Sequence, residues 1–333
     1  MQAVVESFSP PAPPAAAAGA LPEEPPRRSY EGLLKKLSAH SVTKHYDAYA
    51  DIDWDAPANA IRADDPRFEL SDDDVLGATA WYKAQPQAVR AELGLTGVVG
   101  AMKMGVVFES VLKRGLLEFA ARLPNGSPEF RYAYHEVIEE AQHSLMFQEF
   151  INRSGLDPRG LSASTELGTR FVVRLGRVFP ELFFFFVLGG EEPIDYEQKQ
   201  ALRSEKEHHP LLTRIMKIHV TEESRHLCFA RSYLERNVPK LGFFARLRLA
   251  VMVPIILGDM AKMMLEPSRS TIRKFAIPAS VIREAYTDNP GHKQKVRASL
   301  ASVARLCIKL ELLGPRSAWL WKMLGLGNPL KYA

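Results

Sequence analysis

Two stretches of the chain pair a glutamate with a histidine three residues on: Glu140-Ala-Gln-His143 and Glu223-Ser-Arg-His226. On an α-helix, residues three apart differ by about 60° around the axis, so a carboxylate and an imidazole at this spacing can grip one ion from the same face. One such motif arises often by chance and is then solvated. Two match carboxylate-bridged di-metal bundles, in which two helices each give a Glu-x-x-His and two others each give a single Glu. Counting back 31 residues from each motif reaches Glu109 and Glu192. The halves then superpose at one offset of 83: Glu109 on Glu192, Glu140 on Glu223, His143 on His226. Four carboxylates balance two divalent ions, as a site of low dielectric requires.

Alternatives remain at several positions. Glu118 competes with Glu109. Glu191 competes with Glu192, because Pro193 follows and the residue before a proline avoids the α region; the offset of 83 favours Glu192. His219 lies four before Glu223 and seven before His226, on the same stripe, so it can add a third nitrogen or serve as a supporting or core histidine. Glu136, Glu139 and Glu222 read as solvated groups or as acceptors for the second N–H of a ligand imidazole.

These residues need helices to carry them. From Val75 onward, long segments rich in Leu, Ala, Met, Phe, Glu and Arg are separated by short Gly/Pro punctuation, with almost no period-2 alternation, which predicts an all-α domain. Four segments carry the motifs. The first, about 93–122, stops at Leu123-Pro124-Asn125-Gly126. The second has Ser127 as N-cap, Pro128 at its first position and Glu129 in its first turn, and runs to Arg153 ahead of Gly155. The third, about 164–200, carries Pro180, Gly189-Gly190 and Pro193, which predict a kink or bulge. The fourth opens at His209-Pro210 and ends near Arg236. Further helices pack outside, with a loop at 286–292 and a last helix near 294–313. Residues 30–74, with Tyr46, Tyr49 and Trp54, are expected to wrap the core. Val137, Ile138, Leu145 and Phe147 are expected to surround the second helix's motif with apolar side chains.

The 333 residues are 46% apolar, enough for a sizeable core in a single domain over 31–333 with its metal-binding part at about 93–237. Forty-three basic against thirty-nine acidic residues leave +4, too dispersed for a nucleic-acid footprint. Cys228 and Cys307 form no CxxC or disulfide framework and suit a reducing cytoplasm. No stretch reads as a membrane span, since 182–188 is short and 247–265 is interrupted by Arg248, Pro254, Asp259 and Lys262. The first thirty residues hold seven prolines and an alanine run, and read as a disordered tail rather than a signal peptide. Gly325 and Gly327 form a lone G-x-G with no strand before it, so a nucleotide site is not expected.

The constellation resembles the p-aminobenzoate N-oxygenase-like family of non-haem di-iron oxygenases, which convert aromatic amines to hydroxylamino, nitroso or nitro products. The resemblance rests on Glu109, Glu140 with His143, the Glu191-Glu192 pair and the run HVTEESRH from His219 to His226, and covers roughly 75–238. The third histidine is its most specific part, because ferritins, desaturases and hydrocarbon monooxygenases generally combine two histidines with four carboxylates. The resemblance implies a ferritin-like four-helix bundle with flanking helices. It implies two iron ions held by Glu109, Glu140, His143, Glu192, His219, Glu223 and His226, although residue types alone leave manganese open. It also implies reaction of ferrous iron with O2, through a peroxo-bridged diferric species, at an amine nitrogen. Electrons would come from an external ferredoxin-type or reductase partner, since no flavin or nicotinamide motif is present; a homodimer is compatible with the sequence.

Two other readings stay open: a di-iron hydroxylase or desaturase acting on a lipid-like substrate, and a ferritin-like iron- or oxidant-handling protein without an organic substrate. A metal-stapled structural bundle is a third. An arylcarboxylate substrate would favour an arginine near the pocket, yet the turns before Glu109 offer only Lys103, and Arg114, Arg174 and Arg177 cannot be ranked. Met102, Met104, Phe108, the phenylalanines 183–186 and Leu188 either line an apolar cavity or pack the core.

Overall fold

The computed structural model of the chain describes residues 29–160, 163–315 and 317–327. The proposed N-terminal tail lies, up to residue 28, outside the described residues. Among those described, every regular element is helical: α1 Tyr30–Thr43, α2 Ala80–Lys83, α3 Gln87–Ala120, α4 Pro128–Ser154, α5 Ala163–Val178, α6 Pro180–Arg203, α7 Pro210–Asn237, α8 Phe243–Leu265, α9 Arg269–Lys274, α10 Ala279–Ile282, α11 Pro290–Ser299, α12 Ala301–Lys309 and α13 Ala318–Met323. The fold is the expected all-α one.

Local chemistry sets the ends of the four carrier helices. Pro128 and Pro210 sit at first-turn positions, where a missing N–H costs nothing, and Gly155 stops α4 with φ +68° in the left-handed region. The third expected segment is two helices. Pro180 opens α6, and Phe179 before it is extended at φ −152°, so the chain turns there instead of kinking. Pro193 lies inside α6, which stays α-helical throughout without the expected bulge. A π-helical turn lies elsewhere, at Arg283–Thr287, and runs into the start of the loop expected at 286–292. Asn289 then caps α11 by accepting from the Gly291 and His292 amides, and the last helix divides at Leu300 into α11 and α12.

α3 packs chiefly on α4, and α6 on α7; α5 lies against α3 and α6, α8 covers α6, and α1 crosses α4 and α7. Two glycines let neighbouring helices come close. A Cβ on Gly176 of α5 would stand 2.0 Å from the Gly115 carbonyl oxygen of α3, and one on Gly190 of α6 would stand 2.2 Å from the Phe108 ring. The second contact sits one residue before Glu109 on α3 and one before Glu191 on α6, so it fixes how closely these helices approach beside two glutamates. Phe183, Phe184 and Phe185 are fully buried with Leu112, Leu116 and Phe229, and Phe186 stacks on Phe108 at 5.0 Å; they are core. Met102 is buried in a second cluster with Phe147 and Phe150. The segment 30–74 begins with a full helix, α1, and only afterwards wraps, burying Trp54 and Phe68 near Phe150.

Contrary to the sequence expectation, one helix among the described residues, α3, is long and apolar enough to cross a membrane by length and composition. In this fold it packs on α4, α5 and α6 and carries Glu109.

Candidate metal centre

Glu109 comes from α3, Glu140 and His143 from α4, Glu191 from α6, and His219, Glu223 and His226 from α7. All seven are at most 5% exposed. The helical spacing does what it must: 140 and 143 lie on one face of α4, and 219, 223 and 226 on one face of α7, and the two faces meet. Glu223 Oε1 stands 3.1 Å from His226 Nδ1, 3.5 Å from His143 Nδ1 and 3.7 Å from His219 Nε2, so one carboxylate oxygen is shared by three imidazoles. Glu140 Oε1 lies 3.0 Å from His226 Nδ1, and its Oε2 3.6 Å from His143 Nδ1. His219 Nε2 reaches within 4.0 Å of Glu109 Oε1. Three overlapping groups of donors converge: Glu109 with His143 and His219, Glu140 with His143 and Glu223, and Glu191 with His219 and Glu223.

Glu192, the ligand favoured by the offset of 83, is not in this cluster. Its carboxylate turns to Arg231 of α7, which donates to Oε1 through Nε at 3.0 Å and also through Nη2. Neighbours on a helix point about 100° apart, so only one of two adjacent glutamates can face the centre, and α6 presents Glu191. Glu118 is half-exposed and 3.8 Å from Arg177 on the surface, so it does not compete with Glu109.

The imidazoles are held from behind. His143 Nε2 lies 2.8 Å from Glu222 Oε2, and His226 Nε2 lies 2.8 Å from Glu139 Oε2. Each helix thus lends its second glutamate to the other helix's histidine, which leaves Nδ1 turned inward. Arg225 Nη2 joins the two carboxylates, donating to Glu139 at 2.7 Å and Glu222 at 3.3 Å. Ser144 Oγ donates to Glu109 Oε2 at 2.6 Å, and Lys113 donates to the Glu140 carbonyl at 2.9 Å and to Ser144. Sequence reasoning missed Arg225, Lys113 and Ser144. The signal for Arg225 was its place inside the second motif, three residues after Glu222. Ile138 and Leu145, expected to enclose the motif, are 51% and 43% exposed on the outer face of α4; Phe147, also expected there, does lie against the site, its ring 6.5 Å from His143 and 5.3 Å from His219.

The electrostatics show what the residues lack. Burial, and then Glu140, push the Glu109 carboxyl up to about 8. Burial raises Glu191 well above the carboxylate range, with Glu223, Glu140 and Glu109 adding to it, and raises Glu223 as well. Burial also opposes charge on His143, but the adjoining carboxylates of Glu140 and Glu222 outweigh this and hold it at about 10. Burial, and then His143, drive His219 down. Buried acids therefore keep protons while their neighbours are charged, as expected of carboxylates crowded without enough cations. Glu109 Oε1, both oxygens of Glu140, Glu223 Oε2 and His143 Nδ1 have no hydrogen-bond partner. Four carboxylates and three imidazoles converging with several of their donor atoms unpartnered, two of the rings supported from behind, fit a pair of divalent first-row metal ions.

A model of the family "P-aminobenzoate N-oxygenase AurF" matches residues 27–311. The chain belongs to the AurF family. Its match takes in all four carrier helices and most of the flanking ones, and AurF membership makes a di-iron oxygenase of the ferritin-like superfamily its broad functional class. An uncharacterized protein of Mycobacterium tuberculosis is 36% identical over 304 residues, spanning 91% of this chain and 89% of its own length. An uncharacterized protein of Mycobacterium bovis is similar to the same extent. No solved structure matches the chain.

The arginines weighed as partners for a substrate carboxylate lie at the surface and do not serve the centre. Arg114 and Arg174 are exposed, and Arg177 pairs with Glu118. A surface hollow of about 480 Å³, lined by Leu34, Pro124, Phe130 and Arg131 among others, shares no residue with the cluster.

Proposed function

We propose that the chain is a non-haem di-iron oxygenase that oxygenates the nitrogen of an aromatic amine. The observation that carries this reading is the third imidazole: His219, 2% exposed, lies beside Glu109 and Glu223 in a bundle whose two Glu-x-x-His motifs already supply two. Membership of the AurF family supports the chemistry, and the donor set supports iron.

Bound iron would supply two-electron activation of O2. Glu140 and Glu223, on facing helices between the imidazoles, would hold the ions from α4 and α7. Glu109 and Glu191 would hold the pair from α3 and α6, and His143, His219 and His226 would give nitrogen. Glu222 and Glu139 keep two of these rings oriented, and the burial of all seven ligands keeps bulk water away. The first oxidation balances as an arylamine plus O2, two electrons and two protons, giving an arylhydroxylamine and water. Further rounds lead to nitroso and nitro levels. The electrons enter from outside, from a ferredoxin-type or reductase partner. The cations near the centre are already engaged, Lys113 by Ser144 and a carbonyl, Arg225 by Glu139 and Glu222, and Arg231 by Glu192, so a substrate carboxylate is not part of the proposal. Two free cysteines suit a reducing cytoplasm.

The test is anaerobic loading with ferrous iron, then O2 and reductant with a panel of anilines. Hydroxylamine carrying oxygen from labelled O2 is the expected product, with two irons per chain. Oxidation of iron without any organic product would overturn the oxygenase reading in favour of iron handling. His219→Ala should change the iron spectrum; an unchanged spectrum would remove His219 from the ligand set and the case for N-oxygenation with it.

A further inference from the structure

The offset of 83 that superposes Glu140 on Glu223, His143 on His226 and Glu139 on Glu222 also superposes Glu136 on His219. Each of these last two lies one helical turn before the glutamate of its Glu-x-x-His. The fold respects the correspondence. His219 of α7 lies beside His143 of α4, with ring centroids 4.7 Å apart. Glu136 lies one turn before Glu140 on the stripe of α4 that carries His143, and the charges of His226 and Glu223 of α7 act on it. The acceptor pairs obey the same relation, since His143 to Glu222 and His226 to Glu139 are both 2.8 Å. The two helices are therefore related by a pseudo-twofold axis, and Glu136 is the counterpart of the third histidine.

Glu136 is fully buried, and neither of its carboxylate oxygens has a hydrogen-bond partner. Arg225 of α7 spends its Nη2 on Glu139 and Glu222 and makes no hydrogen bond to Glu136. A carboxylate left bare in such surroundings is costly unless something else binds it. We propose that Glu136 is an eighth protein donor of the metal centre, serving the ion on the His226 side as His219 serves the ion on the His143 side. This rests on the metal-pair reading above. Glu136 is not among the donors already within 4.8 Å of one another, so its side chain must rotate inward, and no hydrogen bond holds it back. The two positions then differ chemically. One is richer in nitrogen, with His143, His219 and Glu109, and the other richer in oxygen, with Glu136 beside the single imidazole of His226. Nitrogen ligands favour the later first-row metals and oxygen ligands the harder ones, so the two ions should differ in affinity and in signature.

The experiment titrates metal-free full-length protein anaerobically with ferrous iron against a competing chelator and records Mössbauer spectra, for the wild type, Glu136→Gln and Glu136→His. Gln preserves shape and hydrogen-bonding size, and circular dichroism checks the fold. The wild type should take two irons with two distinct signals. Glu136→Gln should hold one ion at wild-type affinity and the other at least tenfold more weakly, with only one signal altered. Glu136→His should recover the second ion and bring the two signals closer together. Loss of a group that merely supports a ligand can also weaken binding about tenfold to a hundredfold, so the altered signal is decisive. Two irons at wild-type affinity in Glu136→Gln, equal weakening of both, or weakening without a spectral change would each overturn the proposal and leave the metal-pair reading standing. A wild type that binds fewer than two irons would overturn that reading and this one together.

Discussion

In the α3–α4 half of the bundle the single glutamate, Glu109, sits 31 residues before its motif; in the α6–α7 half, Glu191 sits 32 before. The second motif follows the first faithfully at 139, 140 and 143, yet the singleton slips by one. A slip of one residue turns a helix face by about 100°, which is why Glu192 faces Arg231 while Glu191 faces the centre. The supports differ too. Glu109 accepts from Ser144, whereas Glu191 makes no side-chain hydrogen bond among the described residues. Two halves with one chemistry are thus built on two registers, and the internal likeness is strongest where α4 and α7 exchange carboxylates and imidazoles.

The sharpest way to break this comparison is to exchange the adjacent glutamates. Glu191→Ala should lose at least one iron per chain and at least a hundredfold in oxygen-dependent turnover, while Glu192→Ala keeps both irons; metal analysis with a turnover assay decides. A reversed outcome would restore the offset of 83 to α6. Arg225→Met should be the most damaging change to stability, about 3–5 kcal/mol in chemical denaturation, because Glu139 and Glu222 then stay buried without their shared cation. Gly190→Ala should cost about 1–3 kcal/mol by forcing a methyl into the Phe108 ring, seen as a lower melting temperature.

The metal-free chain should also become less stable as pH rises from about 5 to 8. Glu109 and Glu136, each raised by burial to about 8, hold protons in the fold that the unfolded chain has released above its ordinary pKa of 4.5. That stability is present below 4.5 and is lost as pH climbs through 8. Melting curves across this range, with and without iron, should diverge because iron replaces the protons. The smallest effect is expected at Glu118→Ala, within about 0.5 kcal/mol and with iron content unchanged, since its ion pair with Arg177 is solvated.

The sequence made the two motifs legible because i, i+3 spacing has only one geometric meaning on a helix. It made His219 legible for the same reason. Glu191 was hidden because arithmetic along the chain cannot see a rotation of one helix against another. Pro180 was read as a threat to a helix when it was the start of one; Pro193 was read the same way, although α6 carries it inside without a bulge. Ile138 and Leu145 were misplaced because nearness in sequence to a motif is not nearness to its face. Arg225 and Lys113 escaped because a lone cation on a helix looks solvated until the carboxylates around it are assembled.

Gly190 set against Phe108 means that the spacing between two of the glutamates is enforced by a ring and a bare backbone, not by the ions themselves. Such a cage is finished before any cargo arrives, so the ordering cost falls on folding and not on uptake. Chelation should therefore empty the protein without melting it, and the emptied form should refill quickly.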